Sequence, residues 1–151
     1  MRRSVVVGVI ALAVLAGCGE SKDDNSSGGG GSSSDSPTKA LADRAGLSGK
    51  VNTEGVGVAT AKGGKLEVEL DDFYFGPAFI KAPAGSALHL EIKNEGKAPH
   101  TFTIDSMDID ETVAPGKTTE VDVTVPAKGA VAMYCRFHKD KGMQGAIVVT
   151  G

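Results

Sequence analysis

Residues 134–145 read Tyr134-Cys135-Arg136-Phe137-His138-Lys139-Asp140-Lys141-Gly142-Met143-Gln144-Gly145, and a further histidine, His100, lies 35 residues before the cysteine. These residues supply one thiolate, two imidazoles and one thioether. That is the donor set of a mononuclear copper site with a His2Cys plane and a long, weak axial Met. The spacing C-x2-H-x4-M brings three donors near one point only if a strand end runs into a tight turn, and Gly142 and Gly145 are the candidates to allow it. Singly, each residue has an ordinary reading: His100 and His138 as surface or loop histidines, Met143 as core filler, Cys135 as a small buried apolar group. In this order and spacing, metal ligation accounts for all four at once. The third histidine, His89, has strand parity opposite to Leu88 and Leu90 and is expected to face solvent. Met133 reads as strand filler and Met107 as part of a loop.

Outward from this loop, the chain alternates with period two. Leu66, Val68 and Leu70 alternate with Lys65, Glu67, Glu69 and Asp71. Leu88, Leu90 and Ile92 alternate with His89, Glu91 and Lys93, and Val121, Val123 and Val125 with Glu120, Asp122 and Thr124. Such patterns predict half-buried antiparallel strands. Thr101–Asp105, Ala130–Cys135 and Ala146–Thr150 add three more. Pro83-Ala84-Gly85, Asn94-Glu95-Gly96, Pro115-Gly116 and Ala127-Lys128-Gly129 punctuate them. The expectation is an all-β, Greek-key β-sandwich of about seven strands over residues 63–151, with no long helix.

The N-terminal third reads differently. Arg2 and Arg3 precede an apolar stretch, Val5–Ala16, interrupted only by Gly8. At about twelve residues it is too short to span a bilayer and suits the core of a signal peptide. It ends in Leu15-Ala16-Gly17-Cys18, which resembles the lipobox of bacterial lipoproteins. That resemblance implies cleavage after residue 17 and lipidation of Cys18. Residues 18–62 are then a tether. Ser26-Ser27-Gly28-Gly29-Gly30-Gly31-Ser32-Ser33-Ser34 is a flexible composition that cannot bury a core. About twenty such residues have an r.m.s. reach of roughly 25 Å. Within the tether, Thr38–Ala45 suits one or two helical turns stopped by Gly46. Val56–Ala59 is either a short strand or extended linker.

Charge and cysteine count narrow the function. The formal charge is −3; without residues 1–17, 14 basic residues face 19 acidic ones, giving −5. A mildly acidic domain argues against nucleic acid as a partner. With Cys18 lipidated, Cys135 has no disulfide partner, and a lone thiol outside the cytoplasm needs an occupant. A metal would be one.

From about residue 65 to the end, the chain resembles the cupredoxins, the small blue-copper domains, and its ligand loop is similar to that of plastocyanins. The residues that carry the likeness are Asn94, Pro99-His100, Tyr134-Cys135, His138, Gly142-Met143 and Gly145. Two positions depart from the plastocyanin pattern: Thr101 stands where Asn is usual and Phe137 where Pro is usual. The first implies an altered hydrogen bond near the metal and an altered potential, the second an altered docking surface. The resemblance implies one type 1 copper per chain, held by His100, Cys135, His138 and Met143, with His138 as the electron port. Together with the lipobox resemblance at Cys18, it implies a monomeric one-electron carrier, lipid-anchored outside the cytoplasm, on the periplasmic or outer face of the cytoplasmic membrane. Its partners would be a redox donor and acceptor, such as a c-type cytochrome or a membrane oxidase or reductase. Asp105, Asp108, Asp110 and Glu111 form an acidic run that is either a steering patch for a basic partner or an ordinary solvated loop. The alternative function is copper storage, delivery or resistance, although Met- and His-rich tracts are lacking. A copper enzyme is not expected, because a second, catalytic copper needs histidines beyond the three present. A binuclear centre would need a second loop cysteine, and position 139 is Lys.

Overall fold

The structure, a computed structural model, describes residues 37–62 and 64–151. The expected signal segment 1–17, the lipidated Cys18 and the Ser/Gly stretch 26–34 lie outside the described residues.

The six segments read as strands form close to where they are expected. They are β2 (Gly64–Asp71), β5 (Ala87–Asn94), β6 (His100–Ile104), β8 (Thr118–Thr124), β9 (Ala130–Tyr134) and β10 (Gln144–Thr150). Four more complete the fold: β1 (Val58–Thr60), β3 (Tyr74–Gly76), β4 (Phe79–Pro83) and β7 (Ile109–Val113). One sheet runs β1-β4-β10-β9-β6-β7 and the other β3-β2-β5-β8. Between them lie Val68, Leu70, Leu88, Leu90 and Ile92 from one sheet, and Ile80, Phe102, Ile104, Met133 and Ile147 from the other. Full burial of a side chain of this size contributes roughly 1.5–3 kcal/mol, so alternation along β5 is enough to fix which face turns inward.

Three expectations need correction. Among the described residues the strands number ten, not about seven. They are not all antiparallel, since β2 pairs with β5, β4 with β10 and β1 with β4 in parallel. After β2 the chain places β3 beside it and β4 in the opposite sheet before β5 returns, which is the crossover a parallel pair requires. Nor is all of 18–62 a tether. Helix α1 (Pro37–Arg44) ends before Gly46, at φ +66°, and Val58–Thr60 extends the first sheet. Leu41 packs in a second cluster with Ala78, Phe79, Ala146 and Val148, flanked by Leu47, Val51 and Val58. The segment therefore covers the outer face of β4 and β10. With both faces covered, β10 is buried from Gln144 to Val149, and its apolar run does not alternate.

Candidate metal centre

The site lies at one end of the sandwich and draws on both sheets. Asn94 builds the approach to its first histidine. Its buried Nδ2 donates to the carbonyls of Ala98 (2.9 Å) and Val113 (2.7 Å), while its Oδ1 accepts the N–H of Gly96 (2.9 Å). This amide ties the loop 94–99 to β7 and delivers His100 at the start of β6, fully buried. Cys135 follows the end of β9. Its N–H donates to the Met143 carbonyl at 3.0 Å, and the N–H of Met143 donates to the His138 carbonyl at 3.2 Å. These bonds close the ligand loop on itself. A 3-10 turn, Lys139–Lys141, makes the bend and is stopped by Gly142 at φ +93°, a left-handed conformation natural to glycine. Gly145 does not serve the turn, contrary to expectation. It sits in β10, and a Cβ there would collide with the Ala78 carbonyl, so glycine answers a close backbone approach.

Three donor atoms converge. His100 Nδ1 and His138 Nδ1 are 3.1 Å apart, and Cys135 Sγ lies 3.9 Å from the first and 3.5 Å from the second. A trigonal centre with metal–nitrogen bonds of about 2.0 Å and a metal–sulfur bond of about 2.3 Å needs separations of about 3.5 Å (N···N) and 3.7 Å (N···S). The triangle therefore fits a small thiophilic ion with little movement. Met143 is fully buried in the same cluster as Cys135. Thr101 donates its N–H to Cys135 Sγ at 3.3 Å, and its hydroxyl accepts the N–H of Arg136 at 2.8 Å. The side chain at 101 thus anchors the turn after the cysteine, while its backbone serves the sulfur.

The electrostatics suit a bound cation. Burial pushes the Cys135 thiol up, but hydrogen bonds from His100, Thr101 and Phe137 outweigh it and hold the group below its ordinary value, favouring the thiolate that binds metal. Burial alone would lower His100, yet Cys135 and Asp72 raise it. His138 is lowered by burial, by His100 and by Lys141, so it stays neutral and able to donate its lone pair.

Residues outside the motif complete the site. Phe73 stacks on His138 with centroids 4.4 Å apart and meets His100 edge-on at 6.2 Å. Lys141 Nζ lies 4.0 Å from the centre of the same ring. Asp72 accepts the Nε2–H of His100 at 3.0 Å. Asn52 donates through Nδ2 to the carbonyls of Phe73 (2.8 Å) and Lys141 (2.9 Å), and through its N–H to Gly142 (2.9 Å). Gln144 Nε2 donates to Ser48 (2.7 Å) and Lys50 (2.8 Å). No periodicity or spacing links Asn52, Asp72 and Phe73 to His100, and only the fold brings them together.

The other sequence candidates sit elsewhere. His89 lies on the outer face of the second sheet, with Nδ1 2.7 Å from Asp122 and Nε2 3.4 Å from Glu120. Met133 is core, and Met107 lies in a 3-10 turn (Asp105–Met107). In the acidic run, Asp105 accepts from the Tyr134 hydroxyl (2.8 Å), while Asp110 accepts from Thr103 (2.8 Å) and Arg136 (2.8 Å). Part of its charge is thereby taken up within the fold.

Residues 49–149 match the profile of the cupredoxin-like domain family. Among solved structures, dithionite-reduced auracyanin from the photosynthetic bacterium Roseiflexus castenholzii superposes with a TM-score of 0.51 at 16% identity, covering 60% of this chain and 100% of that one. Auracyanin B gives 0.50 at 18% identity, with 66% and 96% covered. The metal binding domain of the Cu(I) exporting P-type ATPase CopA of Streptococcus pneumoniae D39, with Cu(I), gives 0.52 at 16% identity, with 66% and 99% covered. At these identities the likeness is one of fold. No curated protein matches the sequence.

Proposed function

The chain belongs to the cupredoxin-like family, and from that premise we propose that it is a membrane-tethered type 1 copper protein carrying one electron at a time between redox partners outside the cytoplasm. The observation that carries the reading is the convergence of Cys135 Sγ, His100 Nδ1 and His138 Nδ1 within 3.9 Å, beside buried Met143. Copper bound there supplies the Cu(II)/Cu(I) couple, and the soft thiolate and weak thioether suit both states.

The chain's own residues do the rest. Cys135, His100 and Met143 lie in the core, where packed neighbours exclude water and leave little freedom to rearrange. His138 is half-buried between the core and the surface and is the proposed port. Phe137 beside it is 53% exposed and offers an apolar contact to a partner. Arg136 lies 5.4 Å from the centre of the Phe137 ring and is held by Asp110, and Lys139 and Lys141 follow on the same loop. Docking there is expected to be salt-dependent. A lipid on Cys18 and the Ser/Gly tether would let the domain turn between a donor and an acceptor at the membrane. Among the described residues, no helix is long and apolar enough to cross a membrane. A carrier fits better than an enzyme, because His89 is engaged by two carboxylates of its own sheet and adds no ligand to a second copper.

The test is a Cu(II) titration of the full-length chain in detergent, followed by visible absorption and EPR. An intense thiolate-to-copper band at one equivalent, bleached by reductant and restored by oxidant, is expected. Stoichiometric copper without that reversible band would move the protein to copper storage or delivery.

A further inference from the structure

The turn between β2 and β3 carries Asp72, which approaches the site from the sheet opposite to its ligands. Its Oδ1 accepts the Nε2–H of His100 at 3.0 Å, where the histidine side chain is 0% and the aspartate 29% exposed. Its Oδ2 accepts the N–H of Lys97 at 3.2 Å. Gly96, next to Lys97 and buried, marks the contact as built. A Cβ at Gly96 would lie 2.7 Å from Asp72 Oδ1 and 2.8 Å from His100 Nε2, well inside normal contact. The hydrogen bond occupies the space a side chain would need. Asn94 Oδ1 holds the N–H of Gly96 at 2.9 Å, so this glycine is fixed in place. The carboxylate is thus held at both oxygens by one segment, residues 97–100, that is at least 25 residues away in sequence, and is aimed at the outer nitrogen of a buried ligand.

We propose that Asp72 is a positioning residue of the copper site: its carboxylate locks His100 in the Nε2–H tautomer, with Nδ1 facing the metal, and its negative charge favours the oxidised over the reduced ion. This rests on the copper reading above. The outer hydrogen bond of a ligating histidine sets both its tautomer and its basicity, and a charged acceptor raises basicity more than a neutral carbonyl. A fixed negative charge interacts more strongly with Cu(II) than with Cu(I), and the buried imidazole between them is poorly screened. Loss of such a partner typically costs 10–100-fold in metal affinity. About a tenfold share of that should discriminate between oxidation states, equivalent to 59 mV for a one-electron couple.

The experiment compares the copper-loaded full-length chain with Asp72→Asn, which keeps the shape and removes the charge. The ratio of Cu(II) to Cu(I) affinity is expected to fall about tenfold, raising the reduction potential accordingly. Gly96→Ala attacks the same contact from the other side with Asp72 retained, and should move the potential in the same direction. In the Cu(I) form of the unaltered chain, 15N NMR should find His100 Nε2 protonated and its proton slow to exchange. This last measurement stands if either variant fails to fold. Potentials within twofold of the unaltered affinity ratio, or an unprotonated Nε2, would overturn the assignment. A blue parent with unmoved variants removes the role of Asp72 and leaves the carrier standing; a parent that binds no copper removes both.

Discussion

Cys135 is the residue on which most depends, and its burial separates two roles that one substitution can test. Its sulfur accepts from Thr101, while its backbone N–H ties the ligand loop to Met143. Cys135→Ser keeps the backbone bond and the volume but removes the thiolate. The intense visible band should vanish, while the metal-free fold loses no more than about 1–3 kcal/mol for the buried hydroxyl, read by urea denaturation. Met143 is fully buried as well. Met143→Leu conserves volume and should cost less than about 1.5 kcal/mol. It should leave the three in-plane donors bound but shift the colour and potential, which spectroelectrochemistry would detect. Both residues were legible from spacing alone, because four soft or borderline donors in this order have one chemical use in common. Asp72 and Phe73 were not legible: an acidic and an aromatic residue in a turn are ordinary until the fold places them against His100 and His138.

Among the elements, the ligand loop and the strap beneath it act together. Gly142 takes a left-handed conformation, and a Cβ there would sit 3.0 Å from Asn52 Oδ1 and 3.2 Å from the Lys50 carbonyl. Gly142→Ala should therefore cost about 1–2 kcal/mol from the backbone alone, and EPR of the copper form should broaden or split as the loop adjusts. Asn52→Ala removes the bonds to Phe73 and Lys141, each contributing about 1 kcal/mol net; matched urea midpoints for this variant and its parent would contradict the strap. On the far sheet, β5 and β8 hold His89 between Asp122 and Glu120, and those hydrogen bonds raise its pKa above the ordinary 6.5. A raised folded-state value means the charged form favours folding. The His89 contribution is thus full below about pH 6.5 and fades as pH rises through the folded value. His89→Gln should be destabilising near pH 5.5 and indistinguishable from its parent at pH 9 in urea midpoints. The missed strands have physical reasons too. β4 is covered on both faces, so it does not alternate, and the Asp-Glu pair in β7 resembles a loop although charged residues suit an edge strand.

For the whole molecule, the working unit begins upstream of residue 63. Helix α1 and the segment after it cover Phe79, Ala146 and Val148. A chain starting at residue 63 should expose that face and melt at least about 5 °C below one starting at residue 37, since burial of Leu41 alone is worth roughly 2 kcal/mol. Equal melting temperatures would return residues 37–62 to the tether.

The order of Cys, His and Met, the alternation of β2, β5 and β8, and the punctuation between strands determined the copper chemistry and the sandwich by themselves. These are local signals, carried by neighbours in sequence and by the period of an extended chain. Tertiary structure decided what surrounds the metal. The carboxylate behind His100, the ring over His138 and the Asn52 strap come from segments 21 to 90 residues away from the groups they touch. Their contacts depend on how two sheets stack and on which turn ends where, and packing of that kind leaves no period in the sequence to read.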